Sequence, residues 1–380
     1  MRIAIEALGI EHSGGGRAAT LNLLKPLFTL DDQNDYLVYL SAPEPSLEGL
    51  NPHVRQQILP VRNRFLARLC AQVLLPLHVR RSQVDLVHFA KNQVVVGCGI
   101  PTIATVYDLT TLRYPRAYPR VDVMYWRYIL SHQLRQMRRI IAISQSTASD
   151  LESFYGILSK RITVIYPGYD PCFRVVGRDQ VSVARERLGL PEKYLVHVGS
   201  ISLKKNLSTL VEAFLDFRRR TNFSGKLVFV GANYHKGRDE RFVQLVAQPS
   251  ARDAIALLGY VPKDLLVDVL NGAQAFLFPS LHEGFGIAVL EAMACGTPVI
   301  AHAVGAVCEV IGDAGVLVEP PTDIDIWSQA IERVAADASQ RERLRQAGLE
   351  RAALFSAEHG ARQTLQVYSD VYKANCPCPR

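Results

Sequence analysis

The sequence predicts an α/β protein in which two doubly wound parallel sheets form two Rossmann-like domains. Apolar, β-branched runs alternate with helical patterns along most of the chain, a rhythm typical of βαβ units. The rhythm breaks at a segment rich in proline and glycine and then restarts. A length of 380 residues also exceeds what one hydrophobic core usually organises. Two domains are therefore expected.

The first domain is predicted to span residues 1–175. Its strands are short apolar runs separated by helical or polar segments, and we assign six of them: Arg2 to Leu8, Tyr36 to Leu40, Leu86 to Phe89, Thr102 to Tyr107, Arg139 to Ile143 and Ile162 to Ile165. Pro167, Gly168, Pro171 and the polar run 177–180 predict the linker that ends this domain.

The second domain is predicted to span residues 176–355. Six further apolar runs are assigned as strands: Tyr194 to Val198, Lys226 to Val230, Ala254 to Leu258, Ala275 to Phe278, Pro298 to Ile300 and Gly315 to Val318. Pro320 and Pro321 then interrupt the pattern. Helical periodicity follows over 324–335, 340–354 and 356–372, so residues 356–380 are predicted as a last helix and a tail.

The composition is that of an ordinary globular protein, with 48% apolar and 21% charged residues. The chain starts with a predicted strand and has no run of eighteen uncharged apolar residues, so a cytoplasmic location is expected. Seven cysteines, an odd number, favour reduced thiols. Cys376 and Cys378 form only a C-x-C. Because no C-x-x-C pair or H-E-x-x-H occurs, no metal site is expected.

The positive charge is concentrated in the first half of the chain. The formal net charge is +7. Aromatic and aliphatic side chains are interleaved there with seven arginines: Arg113, Arg116, Arg120, Arg127, Arg135, Arg138 and Arg139. A second basic and apolar stretch spans 62–81. These segments indicate either a helix on an anionic bilayer, where each cation contributes roughly 1 kcal/mol, or a solvated arginine face above buried aromatic rings. No nucleic-acid-binding motif accompanies them, so nucleic acid is not expected as a partner.

The most informative run is Glu-Gly-Phe-Gly-Ile-Ala-Val-Leu-Glu, bracketed by Glu283 and Glu291. A helix is predicted from about Ile287 to Cys295, with Gly296 as its stop signal. The N–H groups of Gly284, Phe285 and Gly286 would then face an anion at the positive end of the helix. A diphosphate at this turn and hydroxyl groups against the two carboxylates would together match one nucleotide-sugar.

This run resembles the donor-site motif of the retaining glycosyltransferases of family 4, the glycogen-synthase-like enzymes. Further matching motifs occur in the family's order: Ile141-Ala-Ile-Ser144, Val164-Ile-Tyr-Pro-Gly-Tyr-Asp170, His197-Val-Gly-Ser200, Leu203-Lys-Lys-Asn206, Val228-Phe-Val-Gly231, Leu258-Gly-Tyr-Val261 and Gly296-Thr-Pro-Val-Ile300. The resemblance covers residues 1 to 355. It implies the GT-B fold, with the two domains facing a cleft and the last helix returning to the first domain.

The resemblance also implies an activity. A hexose, with mannose from GDP-mannose as the first choice, would pass with retention from a nucleoside-diphosphate-sugar to a hydroxyl of a glycan or lipid-linked acceptor. No metal or other cofactor would be required. Attack from the front side, with the leaving phosphate accepting the proton, fits because no nucleophile is evident opposite the donor.

Site residues follow from the family's motifs. Lys205 would clamp the phosphates, helped by Lys204, since Ser200 stands where many relatives have an arginine. Glu283 would bind the sugar's 3- and 4-hydroxyls and Glu291 the ribose. The expected catalytic residues are Glu283, Lys205, Asp108 and Tyr107, the last replacing a histidine common in relatives. The expected donor-binding residues are Gly15, Gly16, Gly199, Ser200, Lys204, Lys205, Val261, Glu283, Gly284, Phe285, Gly286, Ile287 and Glu291.

Two other functions remain open from the sequence. Gly14-x-Gly16-x-x-Ala19, followed by Asp35, matches the dinucleotide-binding fingerprint and would suit an NAD-dependent oxidoreductase. An inactive, membrane-associated partner with the same fold is the second. Asp323-Ile-Asp325 imitates a D-x-D metal motif, but its position before a helix predicts Asp323 as an N-cap.

Overall fold

A computed structural model describes residues 1–10, 15–59, 64–92, 94–231 and 239–375. Gly14 of the dinucleotide pattern and the cysteines at 376 and 378 lie outside these ranges. The chain folds as two units, Met1–Tyr169 with Phe355–Arg380, and Asp170–Leu354. The chain thus passes from one unit to the other at residues 169–170, within the proline-rich segment, and returns before the last helix.

The first unit is built on a seven-stranded parallel sheet with the order β3-β2-β1-β4-β5-β6-β7. Its strands are β1 (Arg2–Glu6), β2 (Asp35–Leu40), β3 (Val54–Ile58), β4 (Leu86–Phe89), β5 (Thr102–Val106), β6 (Arg139–Ala142) and β7 (Ile162–Val164). β4 and β5 are buried at every residue, as expected for a parallel sheet covered on both faces. β3 was not predicted, because its sequence Val-Arg-Gln-Gln-Ile is an edge strand with little apolar content.

The helices of the first unit are α1 (Gly15–Leu30), α2 (Arg64–Arg81), α3 (Thr110–Arg113), α4 (Arg120–Met124), a π-helical segment (Tyr125–Leu130), α5 (Ser131–Gln136), α6 (Gln145–Tyr155) and, from the chain's end, α16 (Ala357–Lys373). α6 shows how local sequence sets its ends: Ser144 Oγ accepts from the Thr147 N–H at 3.0 Å, and Gly156 closes it in a left-handed conformation.

The last helix belongs to the first unit through polar and apolar contacts. Tyr368 is fully buried, and its hydroxyl is 2.6 Å from His88 Nδ1. Thr105 Oγ1 lies 2.8 Å from the other ring nitrogen. Burial lowers the pKa of His88 to about 3, so the ring is neutral and links α16 to β4 and β5. At the start of α16, Gly168 approaches Ala357 so closely that a Cβ would lie 2.2 Å from the Ala357 nitrogen.

The second unit has a six-stranded parallel sheet with the order β10-β9-β8-β11-β12-β13. Its strands are β8 (Tyr194–Val198), β9 (Lys226–Val230), β10 (Ile255–Gly259), β11 (Ala275–Phe278), β12 (Val299–His302) and β13 (Val316–Val318). Its helices are α7 (Arg178–Leu188), α8 (Leu207–Thr221), α9 (Glu240–Ala247), α10 (Pro249–Arg252), α11 (Lys263–Gly272), α12 (Ile287–Ala294), α13 (Gly305–Ile311), α14 (Ile324–Ala336) and α15 (Ala338–Ala353). The strand order reverses between β8 and β11, and such a switch point is the usual binding position in open α/β sheets.

Both sheets confirm the predicted fold class. The twelve predicted strands all occur, with ends that differ by at most two residues from those observed. Within the described ranges, none of the helices has the length and apolarity needed to cross a bilayer.

Candidate functional site

The glutamate run begins at the carboxyl end of a buried strand. β11 is followed by Pro279 and a loop that ends at Gly286. Gly286 has a φ of 100°, a left-handed conformation that glycine adopts without steric cost. α12 starts at Ile287, and the first N–H groups of a helix have no acceptor within it. The turn is therefore suited to an anion.

A second loop, after β8, brings two cations to the same place. The Leu281 N–H donates to the Lys204 carbonyl at 2.9 Å, which joins the two loops. Lys205 Nζ donates to Glu283 Oε1 at 2.7 Å, and Lys204 Nζ lies 3.5 Å from Oε2. The structure thus brings together three residues that the family resemblance assigned to one ligand, although Lys205 and Glu283 are 78 residues apart.

Glu283 is held ionised by these lysines. Only 14% of its side chain is exposed, and burial by itself raises the pKa of its carboxyl. Lys205 and Lys204 outweigh burial and hold the pKa of Glu283 at about 2. Lys205 Nζ also lies 4.7 Å from the ring centroid of Phe278, a favourable position for a cation. At neutral pH the cluster is a charged ion pair.

Glu291 lies in a different environment, one turn into α12. Burial raises the pKa of its carboxyl to about 8; Lys263 opposes this rise and Asp170 adds to it. Lys263 Nζ is itself paired with Asp170 Oδ2 at 2.7 Å. Glu291 is therefore largely protonated at neutral pH, and its neutral carboxyl can donate one hydrogen bond as well as accept others.

His197 is a site neighbour to which sequence reasoning gave no role. The ring is fully buried, stacks on Phe276 and Phe278, and hydrogen-bonds through Nδ1 to the Leu277 carbonyl at 2.9 Å. Burial, with a contribution from Lys205, lowers the pKa of His197 to about 3, so the ring adds no charge to the cluster. Nε2 has no hydrogen-bond partner in the described part of the chain. A histidine inside an otherwise apolar strand was the available signal.

Three further predicted donor-binding residues follow β8 and β10. Gly199 and Ser200 come directly after β8. The Gly199 carbonyl lies so close to Gly231 that a Cβ there would be 2.1 Å from the oxygen, which requires glycine at 231. Val261 is buried beside the exposed Tyr260. These ends share the carboxyl edge of the sheet with Glu283.

The predicted residues of the first unit lie at the carboxyl ends of β1 and β5. Gly15 and Gly16 open α1, and a Cβ on Gly16 would meet nothing within 4 Å, so this turn can be approached closely. Asp108 Oδ1 accepts from the Thr110 N–H at 2.9 Å and shapes the start of α3.

The Tyr107 hydroxyl, at the carboxyl end of β5, is held by contacts within the first unit. Its hydroxyl donates to the Ala90 carbonyl at 3.0 Å and is 2.8 Å from Thr20 Oγ1. Burial raises the pKa of this phenol to about 12. The hydroxyl is therefore engaged within its own unit, and its contact with a sugar stays a prediction.

No group of three His, Cys, Asp or Glu side chains that could hold a metal ion occurs among the described residues. Asp323 is the N-cap of α14, with Oδ1 accepting from the Ile326 N–H at 3.0 Å, as its position predicted.

Two protein-family models match the chain, one in each of the two units. The model of Glycosyltransferase Family 4 matches residues 14–172, and that of Glycosyl transferases group 1 matches residues 181–351. The chain belongs to glycosyltransferase family 4. The first match includes the glycine-rich run at 14–19, so that run belongs to a glycosyltransferase domain and not to a dehydrogenase.

Individual relatives of this chain are also glycosyltransferases. O-antigen chain mannosyltransferase B of Escherichia coli is 30% identical over 70% of this chain and 69% of its own length. A D-inositol 3-phosphate glycosyltransferase of Stackebrandtia nassauensis is 33% identical over 63% of this chain and 56% of its own length.

Solved structures show the fold. Sucrose-phosphate synthase from Thermosynechococcus elongatus has a TM-score of 0.80 at 23% identity, covering 98% of this chain and all of that one. The lipopolysaccharide glycosyltransferase WaaG has a TM-score of 0.77 at 15% identity, covering 96% and 99%. The glycosyltransferase thus has the GT-B fold.

Proposed function

We propose that this glycosyltransferase transfers a hexose with retention, and without a metal ion, from a nucleoside-diphosphate-sugar to a hydroxyl of a glycan or lipid-linked acceptor. The observation that carries the proposal is the cluster of Lys204, Lys205 and Glu283 at the glycine turn of α12. The lysines and the backbone amides of the turn can bind a diphosphate, and the carboxylate can accept hydrogen bonds from sugar hydroxyls. Mannose is our first choice of sugar, supported by the relative named a mannosyltransferase.

Donor binding would exchange one set of contacts for another. In the free protein the Glu283 carboxylate accepts from Lys205. A bound diphosphate would take the ammonium of Lys205 and the N–H groups of Gly284 and Gly286. Glu283 would then accept hydrogen bonds from the sugar hydroxyls. The nucleotide ribose would meet Glu291, whose neutral carboxyl can both donate and accept.

In the chemical step, the bond between the anomeric carbon and the β-phosphate oxygen breaks as a bond to the acceptor oxygen forms on the same face. The electron pair leaves with the diphosphate, and the acceptor's proton passes to a leaving phosphate oxygen. Lys205 stabilises the charge that develops there. Asp108, Gly15 and Gly16 remain proposed contacts of the first unit. Tyr107 stays a predicted sugar contact and takes no part in this step, because its hydroxyl is bonded inside that unit.

A nucleotide-sugar screen tests the donor. Thermal stabilisation would be compared for GDP-mannose, UDP-glucose and ADP-glucose, with Lys205→Ala as the control variant. We expect stabilisation by one base and sugar, lost in the variant, and a product with the donor's anomeric configuration formed in the presence of EDTA. Stabilisation by NADH without any by nucleotide-sugars would overturn the proposal, and donor binding without turnover would favour an inactive partner. UDP-glucose is included because Anabaena HepE, a structural neighbour, was solved with it.

The basic segment of the first unit supports a second proposal, contact with an anionic membrane surface. Its aromatic residues Tyr125 and Trp126 pack against the core. Val121, Met124 and Tyr128 are nevertheless 67%, 60% and 64% exposed, and their spacing places them along one side of the helical segment. Arg120 and Arg127, next to them in the sequence, are also exposed, so the segment presents apolar and cationic side chains together.

Vesicle flotation tests this contact. We expect binding to vesicles with anionic lipid, little binding to neutral ones, and loss of binding in Met124→Glu. Val183→Glu is a matched control, because Val183 is 66% exposed on α7 of the second unit. Equal flotation with both kinds of vesicle would remove the proposal without affecting the donor assignment.

A further inference from the structure

A large arginine-lined cavity lies at the amino ends of the strands in the second unit, opposite the edge that carries Glu283. Its volume is about 760 Å³, which is typical of small-molecule sites. Gln274 precedes β11 and Pro298 precedes β12, and both line it. Ligands of the proposed donor site would lie at the carboxyl ends of the same strands, so the cavity is a separate place in the fold.

The walls of the cavity are strongly cationic. Arg178 and Arg185 project from α7, and their separation of seven residues places them on one face of that helix. Arg341 and Arg345 come from α15. Arg341 is bonded to the Val334 and Ala335 carbonyls, and Arg345 is paired with Glu342 at 3.1 Å. No hydrogen bond or ion pair to the Arg178 or Arg185 side chain occurs among the described residues.

Two residues that line this cavity each carry a buried polar atom with no hydrogen-bond partner among the described residues. One is a donor, Nε of Arg185, and the other is an acceptor, Oε1 of Gln274. Buried polar groups are normally satisfied, and leaving one unpaired is destabilising. Once the two side chains turn toward the cavity, a single molecule that carries both an anionic oxygen and a hydroxyl would satisfy both groups.

From this arrangement we infer that the cavity binds a small hydroxylated anion, such as a phosphorylated or carboxylated sugar or polyol. The guanidinium groups of Arg178 and Arg185 bind the anionic group, and the amide oxygen of Gln274 accepts from a hydroxyl. Cys295 and Gly296, at the end of α12, also line the cavity. The helix whose start carries the glycine turn therefore ends at this second site.

Titration calorimetry with glycerol 3-phosphate tests the inference. The full chain carrying Lys205→Ala is used, so that binding of the probe's phosphate to the donor cluster is removed. We expect saturable one-site binding, weakened about tenfold or more by adding Arg185→Gln and severalfold by adding Arg178→Gln. Arg187→Gln, an exposed change on the same helix, is the matched control and should leave affinity within twofold. Inorganic phosphate, which lacks the carbon-bound hydroxyls of glycerol 3-phosphate, should bind more weakly.

Hydrogen exchange on the same samples locates the probe. Protection on adding glycerol 3-phosphate should appear in residues 178–188 and 338–348. A linear heat response without saturation, or equal affinity in the Arg178→Gln, Arg185→Gln and Arg187→Gln proteins, would overturn the inference. Because Arg178 is exposed, its variant decides the outcome even if Arg185→Gln fails to fold.

Discussion

The two glutamates at the ends of the glycine-turn run are only eight residues apart, yet the fold gives them opposite protonation states. Glu283 has a pKa of about 2 and Glu291 a pKa of about 8. Burial raises the pKa in both cases. Two lysines outweigh burial at Glu283, whereas Lys263 is turned toward Asp170 and does not outweigh it at Glu291. Neighbouring charge, and not burial, therefore decides which carboxyl is ionised.

The largest expected effect comes from removing the ionised member of the pair. Glu283→Gln should reduce turnover about a hundredfold, equivalent to ~3 kcal/mol of transition-state stabilisation. The same change frees Lys205, so affinity for the nucleoside diphosphate should rise while turnover falls. Steady-state kinetics measures the turnover, and calorimetry measures the affinity for the nucleoside diphosphate. Glu186→Gln, on an exposed face of α7, should change neither. Equal loss of turnover and of diphosphate affinity would show that Glu283 only maintains the fold.

The two lysines should differ in their effects. Lys205→Ala should weaken nucleoside-diphosphate binding by about thirtyfold, or ~2 kcal/mol, because it removes the charge-assisted bond to phosphate. Lys204→Ala should weaken it only severalfold, since Lys204 is more exposed and 3.5 Å from Glu283. If Lys204→Ala causes the larger loss of affinity, then Lys204, and not Lys205, is the main phosphate-binding lysine.

The raised pKa of Glu291 should make the free energy of unfolding depend on pH. Its folded pKa is about 8, above the unfolded value of 4.5, so between these pH values the folded state holds a proton that the unfolded state has lost. The free energy of unfolding should therefore fall as pH rises through this window. Glu6 contributes with the same sign, since burial raises its pKa to about 8.

The variant Glu291→Gln imitates the protonated carboxyl and should remove the Glu291 share of that fall, on the order of 1–3 kcal/mol between pH 6 and pH 9. Urea unfolding at the two pH values measures it. A wild-type protein that gains stability over this range, or a variant with an unchanged slope, would contradict the protonated state of Glu291.

The smallest expected effect concerns the cation beside Glu291. Lys263→Ala removes a charge that lowers the pKa of Glu291 and leaves Asp170, which raises it, without its partner. The pH midpoint of nucleotide binding should therefore move upward by a few tenths of a unit, with a stability change of ~0.5 kcal/mol. A downward shift would mean that Lys263 does not act on Glu291 electrostatically.

By itself, the sequence determined the fold class and the family, because apolar periodicity and motif order are local properties that the chain keeps wherever it folds. β8, β9 and β11 occur at their predicted residues for this reason, whereas β3 was missed because an edge strand has little apolar signal. Only the tertiary structure decided which charged and polar groups are paired. Lys205 pairs with Glu283, Asp170 pairs with Lys263, and the Tyr107 hydroxyl donates to the Ala90 carbonyl. The partners in each pair are distant in sequence. A carboxyl's pKa depends on charges within a few ångströms in space, and no spacing along the chain specifies those distances.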